Sequence, residues 1–313
     1  MPAYNAGQFI ARALASIENQ TRLPDEVVVV DDGSSDDTGQ CIERFRQSSG
    51  LNLVVRQQVN QGSSSARNHA VRVATGNFIA FMDADDIMYP RFLERMETGL
   101  DRHPDWVACF SDRDIVDPDG RLIAKDLDHP KFLGLSKKDA GMGYMELADD
   151  ALFSTMLSGS LIPMTMVCRR AELEAVHGFD ESLIFNEDRL LFLELIKRGG
   201  KLGYAAESLG TWQRHEANKS GSSNALRSIE ASDLILRKIL DDQRRLKLSP
   251  QECAELDSER KRLARGWMYA ASRIRAASTF ALGRRLLAEH RITYACFFRA
   301  IIRYALARGR ADG

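Results

Sequence analysis

Four consecutive valines at positions 27–30, held between Glu26 and Asp31, restrict the fold of this chain more than any other stretch. Successive side chains on an extended strand point to opposite faces, so an unbroken β-branched run has no polar side to turn to water. Such a strand needs cover on both faces, which predicts a parallel strand inside a layered α/β domain. The run Phe78-Ile79-Ala80-Phe81-Met82 makes the same demand and then leads into Asp83, Asp85 and Asp86. A buried strand that ends in acids presents charge at the carboxyl edge of its sheet, where α/β proteins bind ligands. Residues two apart on an extended chain point the same way, so Asp83 and Asp85 can converge on one cation. Hard oxygen ligands suit Mg2+ or Mn2+, and such ions commonly hold a diphosphate. The plainer alternative is an acidic loop that caps the helix starting near Pro90.

Elements alternate around these two runs. Phe9, Ile10, Ala13, Leu14 and Ile17 recur at helical spacing after a loop at 2–7, and turn residues at 31–38 lead into a second helix. A short strand at 51–56 precedes a helix opened by Gly62, and the strand at 78 follows. The alternation predicts a right-handed, doubly wound, mostly parallel sheet. Beyond it, the sequence predicts a helix to about 103 and a strand at 106–111. A hairpin turn follows at Asp117-Pro118-Asp119-Gly120. Residues 126–145 lack clear periodicity and read as a mobile excursion, followed by a helix near 146–157. A strand is expected to about 168, a helix from Glu187 and a strand at 201–206. From about 221 onward the pattern is amphipathic helix throughout. The expected division is 1–220 for the α/β domain and 221–313 for a C-terminal helical region.

Composition excludes several alternatives. A formal net charge of −1 gives no reason to expect a nucleic-acid partner. The five cysteines are widely spaced without a Cys-x-x-Cys pair, which reads as reduced, mostly buried thiols of a cytoplasmic protein. No apolar run approaches the roughly 18 residues of a membrane span. Asn5, Gln8, Arg12 and Glu18 interrupt anything like a signal peptide. The tail from Ala281 carries seven arginines against one Glu and one Asp. They read as a solvated helix face. Phe297, Phe298, Ile301 and Ile302 among them suggest a peripheral contact with the inner face of the membrane, or a homodimer surface.

Six blocks stand in order along the chain. They are Pro2-Ala3-Tyr4-Asn5; the run 28–34 ending Asp31-Asp32-Gly33-Ser34; and Gly62 to Asn68, of the form Gly-x-Ser-x-Ala-Arg-Asn. The others are Asp83-Ala84-Asp85; Gly178-Phe179-Asp180 followed by Glu187-Asp188; and Trp212-Gln213-Arg214-His215 with Asn218 and Ser220. Together they resemble the family 2 glycosyltransferases with the GT-A fold, over about residues 2–220. The resemblance implies an inverting, metal-dependent transferase that moves a sugar from a nucleotide-diphosphate sugar, a UDP-sugar, to a saccharide or lipid-linked saccharide. Pro2, Ala3, Tyr4, Asp31, Asp32, Arg67, Asp83 and Ala84 would then bind nucleotide, with Asp32 accepting from the base N–H. Asp85 would hold Mn2+ or Mg2+, with Asp83 and His215 as further metal candidates. Arg214 and His215, with Arg67, would clamp phosphate oxygens. Asp188, with Glu187 beside it, would be the general base. Two other classes compete. A degenerate, non-catalytic nucleotide-sugar scaffold would not need intact Asp83, Asp85 and Asp188. A nucleotidyltransferase would carry a Gly- and Lys-rich phosphate loop, which Pro2 to Gly7 is not. The family's first strand normally supplies four to six apolar residues before the first block, and only Met1 precedes Pro2 here. An upstream start, or a chain lacking its first strand, is the expectation.

Overall fold

A computed structural model of the chain describes residues 1–147, 152–157, 165–214, 225–241, 246–273, 279–289, 291–293 and 295–300. The chain divides into two compact units, Met1–Glu216 and Ala217–Gly313. The first unit opens with β1 (Pro2–Ala3), α1 (Ile10–Glu18), β2 (Val27–Asp31), α2 (Thr38–Ser48), β3 (Leu53–Gln57) and α3 (Ser63–Val73). It continues through β4 (Phe78–Ala80), β5 (Ile87–Met88), α4 (Phe92–Arg102), β6 (Trp106–Val116) and β7 (Leu122–Lys125). Then come a 3-10 turn (Asp126–Asp128), α5 (Pro130–Leu133), β8 (Lys137–Gly141), β9 (Tyr144–Leu147) and α6 (Leu152–Leu157). It ends with β10 (Met166–Arg169), α7 (Arg170–Ala175), α8 (Glu187–Lys197) and β11 (Lys201–Gln213).

The four valines of β2 have the two-sided cover their sequence requires. Val27 and Val29 pack with Ile10, Leu14 and Ile42, from α1 and α2. Val28 and Val30 face Ala66 and Ala70 of α3 instead. β2 pairs in parallel with β3 over its whole length, from Val27 opposite Leu53 to Asp31 opposite Gln57. On its other edge β1 reaches only Val30 and Asp31. Pro2 and Ala3, expected in a loop, are strand residues because the Met1 and Ala3 carbonyls take the Val30 and Asp32 N–H groups at 2.9 and 2.8 Å. The second sheet has eight strands in the order β4-β10-β6-β11-β9-β8, with β5 on β11 and β7 on β6. There β6 and β11 are parallel and the remaining pairs antiparallel, so the parallel winding of the first sheet gives way to a mixed one. The architecture is α/β of the GT-A type. Between β2 and β4 lies a cavity of about 320 Å3, lined by Met1, Val28, Ala70, Phe78 and Ala80 among others.

Residues 126–145 are ordered, contrary to the excursion read from their sequence. β8 and β9 form an antiparallel hairpin, and β9 pairs with β11. Its turn, Gly141-Met142-Gly143, takes positive φ at all three residues. Tyr144 is fully buried and donates its hydroxyl to the Arg95 carbonyl at 2.6 Å. The period was hidden because β8 is an edge strand with mostly exposed side chains. Glu146 and Leu147 belong to β9, paired on both sides with β11 and β8, and not to a helix. β11 also runs seven residues beyond the expected 206, to Gln213, which carries Trp212 on a strand. Of the cysteines, Cys109 and Cys168 are buried and Cys41, Cys253 and Cys296 half-buried.

The second unit is helical, with Ala225–Asp241, Pro250–Arg273 and Thr279–Ala288 as its principal helices. Ala264, Met268 and Leu286 form the centre of its core. Asp233 pairs with both Arg237 and Arg291, and Glu289 joins the same two arginines. Among the described residues no helix is long and apolar enough to cross a membrane.

Candidate active site

The first loop is latched to the turn after β2. Asn5, at a φ of 47°, donates its N–H to Ser34 Oγ and accepts the Ser35 N–H on Oδ1. The Ala6 and Gly7 N–H groups go to Thr38 and Asp36. Tyr4 is left over half exposed by this latch. Asp31 closes the turn by accepting the Ser34 N–H at 2.9 Å. Asp32 is buried, and both its oxygens hold the loop before α3. Oδ1 accepts from Gln61 N–H and Gln58 Nε2, and Oδ2 from Gly62 N–H, at 2.8–2.9 Å. The base contact expected of Asp32 therefore has to share a carboxylate already engaged in the fold. Gly33 is required at its φ of 73°, since a Cβ there would stand 2.9 Å from the Asn60 backbone nitrogen.

Three of the six blocks meet at Arg67. Its Nη2 donates to Asp83 Oδ1 and its Nη1 to Glu187 Oε1, each at 2.7 Å. Ser63 Oγ adds a bond to the same Glu187 oxygen at 3.2 Å. The guanidinium lies 5.3 Å from the centroid of the Phe179 ring. Next to Arg67, Asn68 clasps Phe179 with Oδ1 accepting its N–H and Nδ2 donating to its carbonyl, and Nδ2 also reaches Glu181. Gly178 is the residue that lets Asn68 approach: its φ is 72°, and a Cβ would fall 2.4 Å from Asn68 Oδ1. Asn186 starts α8 in the left-handed region, with no side-chain cap bond. Glu187 and Asp188 are the first two residues of that helix, half-buried, and Asp188 Oδ1 accepts the Arg189 N–H at 2.8 Å.

The acidic loop after β4 turns tightly, with the Asp86 N–H on the Asp83 carbonyl at 3.2 Å, and Ala84 at the centre of the turn is buried. Asp86 faces inward. Burial, with Asp83 and Asp85 adding to it, pushes its carboxyl well above the usual range, against the opposing pull of Arg113. Asp86 Oδ1 is buried without a hydrogen-bond partner. Three carboxylates crowded into one turn, with Asp86 Oδ1 lacking a hydrogen-bond partner, fit a divalent cation by charge and ligand hardness. Among the described residues no three acidic, His or Cys side chains converge closely enough to cage such an ion alone.

Sequence reasoning missed Arg113. It pairs with Asp126 at 2.6 Å, lies 3.8 Å from Asp86, and sits over the Trp212 ring at 5.4 Å. Arg214 approaches the same ring at 5.7 Å, and its N–H bonds to the Val116 carbonyl. The signal was available. β6 also breaks from an apolar run into Asp112, Arg113 and Asp114, as β4 does into its acids. Tyr89 donates to Asp114 at 2.8 Å, and burial followed by that bond pushes its phenol up to about 12. His215, Asn218 and Ser220 lie outside the described residues.

Residues 1–148 match the family model described as Glycosyl transferase family 2. The uncharacterized glycosyltransferase YibD of Escherichia coli is 34% identical over 113 residues, 36% of this chain and 33% of that protein. The succinoglycan biosynthesis protein ExoU of Rhizobium meliloti is 30% identical over 214 residues, 65% of this chain and 59% of that protein. The chain thus spans from about a third to three fifths of the length of these curated relatives. Among solved structures, S. aureus TarS in complex with UDP-GlcNAc superposes with a TM-score of 0.60 at 21% identity, covering 97% of this chain and 87% of that one. A mannosyltransferase from Pyrobaculum calidifontis, in complex with GDP-Man and Mn2+, gives 0.57 at 18% identity over 97% and 85%. These structures share the fold. Over its first 148 residues, where most of the motif geometry lies, the chain is similar to glycosyltransferase family 2.

Proposed function

We propose that this protein transfers a sugar from a nucleotide-diphosphate sugar, a UDP-sugar, to a hydroxyl of a saccharide or lipid-linked saccharide, with inversion. The observation that carries the reading is the junction at Arg67, where the acidic loop and the start of α8 hold the same guanidinium. Donor-side and acceptor-side acids are thereby tied to one point. Asp188 would take the proton of the acceptor hydroxyl as its oxygen attacks the anomeric carbon. The bond from that carbon to the diphosphate oxygen breaks, and the nucleoside diphosphate leaves. Attack from the side opposite the leaving group inverts the centre. Tyr4 would stack on the base, and Asp31 and Asp32 would line the nucleotide site. Arg214, with His215, would meet phosphate oxygens. Asp85, with Asp83 beside it, would hold Mn2+ or Mg2+, which supplies positive charge against the departing diphosphate. The relative named for succinoglycan biosynthesis, and the UDP-GlcNAc, GDP-Man and Mn2+ of the structural neighbours, support this chemistry. A place at the cytoplasmic face of the membrane is part of the same reading.

The two neighbours carry different bases, so base choice is the first thing to test. Calorimetric titration of UDP, CDP, GDP and ADP, each with Mn2+ and with chelator, on wild type and Asp85→Ala decides it. Binding of UDP that needs Mn2+ and is lost in Asp85→Ala is the expected result. Equal, metal-independent binding of all four, or none, would sink the reading.

A further inference from the structure

Arg67 is a cation shared by the acidic loop and the start of α8, paired with Asp83 and with Glu187. Its side chain is 6% exposed, against 34% for Asp83 and 13% for Glu187, so the guanidinium lies deeper than either acid it binds. A diphosphate arriving from solvent meets the carboxylates first. The planar fork suits two carboxylates at once, and a lysine could not reproduce it. The Nε is buried without an acceptor, so the side chain is held by its two acids and by Phe179 rather than aimed at open space. Glu187 begins α8 and is bonded by both Arg67 and Ser63, while its neighbour Asp188 follows in the same turn.

We propose that Arg67 is a positioning residue, fixing the first turn of α8 against the Asp83 loop and so the placement of Asp188, and is not a ligand of the diphosphate. The inference rests on the glycosyl-transfer reading and deepens it. It departs from the nucleotide- or phosphate-binding role that the sequence resemblance gives Arg67.

The test uses the full chain as wild type, Arg67→Met, Arg67→Lys, Glu187→Gln and the double variant Arg67→Met/Glu187→Gln. Calorimetry reads the Kd for UDP with Mn2+. UDP release from UDP-glucose, UDP-galactose and UDP-N-acetylglucosamine, with water as acceptor, reads kcat and KM. The expected result for Arg67→Met is a kcat lower by about 30- to 100-fold, with KM and the UDP Kd moved by less than about threefold. Glu187→Gln keeps an oxygen for the Arg67 N–H and loses only about 3- to 10-fold, and the double variant loses no more than Arg67→Met. If Arg67→Met does not fold, Arg67→Lys carries the cycle with Glu187→Gln. A UDP Kd weakened by about tenfold or more in the Arg67 variants alone makes Arg67 a phosphate ligand and overturns the inference. Additive losses in kcat overturn it too. A wild type that neither binds UDP nor releases it overturns the transfer reading, and this inference with it.

Discussion

At the residue scale, the motif letters have separable physical reasons. Asn68 is conspicuous in the sequence as the end of Gly-x-Ser-x-Ala-Arg-Asn, yet its work is to clasp Phe179, more than a hundred positions away. That contact explains why position 178 is glycine, through both a φ of 72° and the absence of a Cβ. Gly178→Ala is expected to destabilise the protein by about 2 kcal/mol, the left-handed penalty plus displacement of Asn68. Denaturant unfolding should show this as a lower midpoint at unchanged slope. Asn68→Ala, which removes the obstructing oxygen, should make the added cost of Gly178→Ala smaller. Equal costs in both backgrounds would mean that the clash is not what the glycine avoids. The residue types of the site were legible in the sequence, as acids after apolar runs and an arginine in a glycine-led block. Their partners were not. Arg67 reaches Asp83 across 16 positions and Glu187 across 120, and no local pattern encodes such a pairing.

At the element scale, strands that break from apolar into charged residues position most of the site. β4 delivers Asp83 and Asp85, and β6 delivers Arg113 to a place between Asp86 and Asp126. Arg113→Met would leave two acids without their cation, Asp86 being the more buried. Loss of a buried pair can cost about 3–5 kcal/mol, and the partial exposure of Asp126 reduces that to about 2–3 here. Thermal unfolding should show a drop of several degrees, with part of it recovered in Arg113→Met/Asp126→Asn. No recovery would place the cost in lost packing on Trp212 instead. The elements legible from sequence were those with one clear period, such as the valine strand and α1. The β8–β9 hairpin was not, because its exposed edge strand alternates against solvent and its turn depends on three consecutive positive-φ residues.

At the scale of the whole α/β unit, the weak point is the space between its two sheets. Among the described residues no ladder joins β2 to β4, and the cavity between them is lined largely by apolar side chains. Met1 sits at its edge with its α-amino group donating to the Val28 carbonyl at 2.8 Å. Burial, then the positive charge of Arg67, lowers that amine from its ordinary 8.0 to about 5, with Asp83 opposing. The unfolded chain therefore binds a proton between pH 8 and pH 5 that the folded chain does not. Stability from this group is fully present above pH 8 and is lost as pH falls toward 5, where the amine charges inside the fold. At about 1.36 kcal/mol per unit the swing is on the order of 4 kcal/mol. Stability followed from pH 8 to pH 5 should fall for a chain that begins at Met1. Acetylation of the amine should flatten that slope, because an amide keeps the N–H and cannot charge. If acetylated and free chains lose stability in parallel, the slope does not come from this amine.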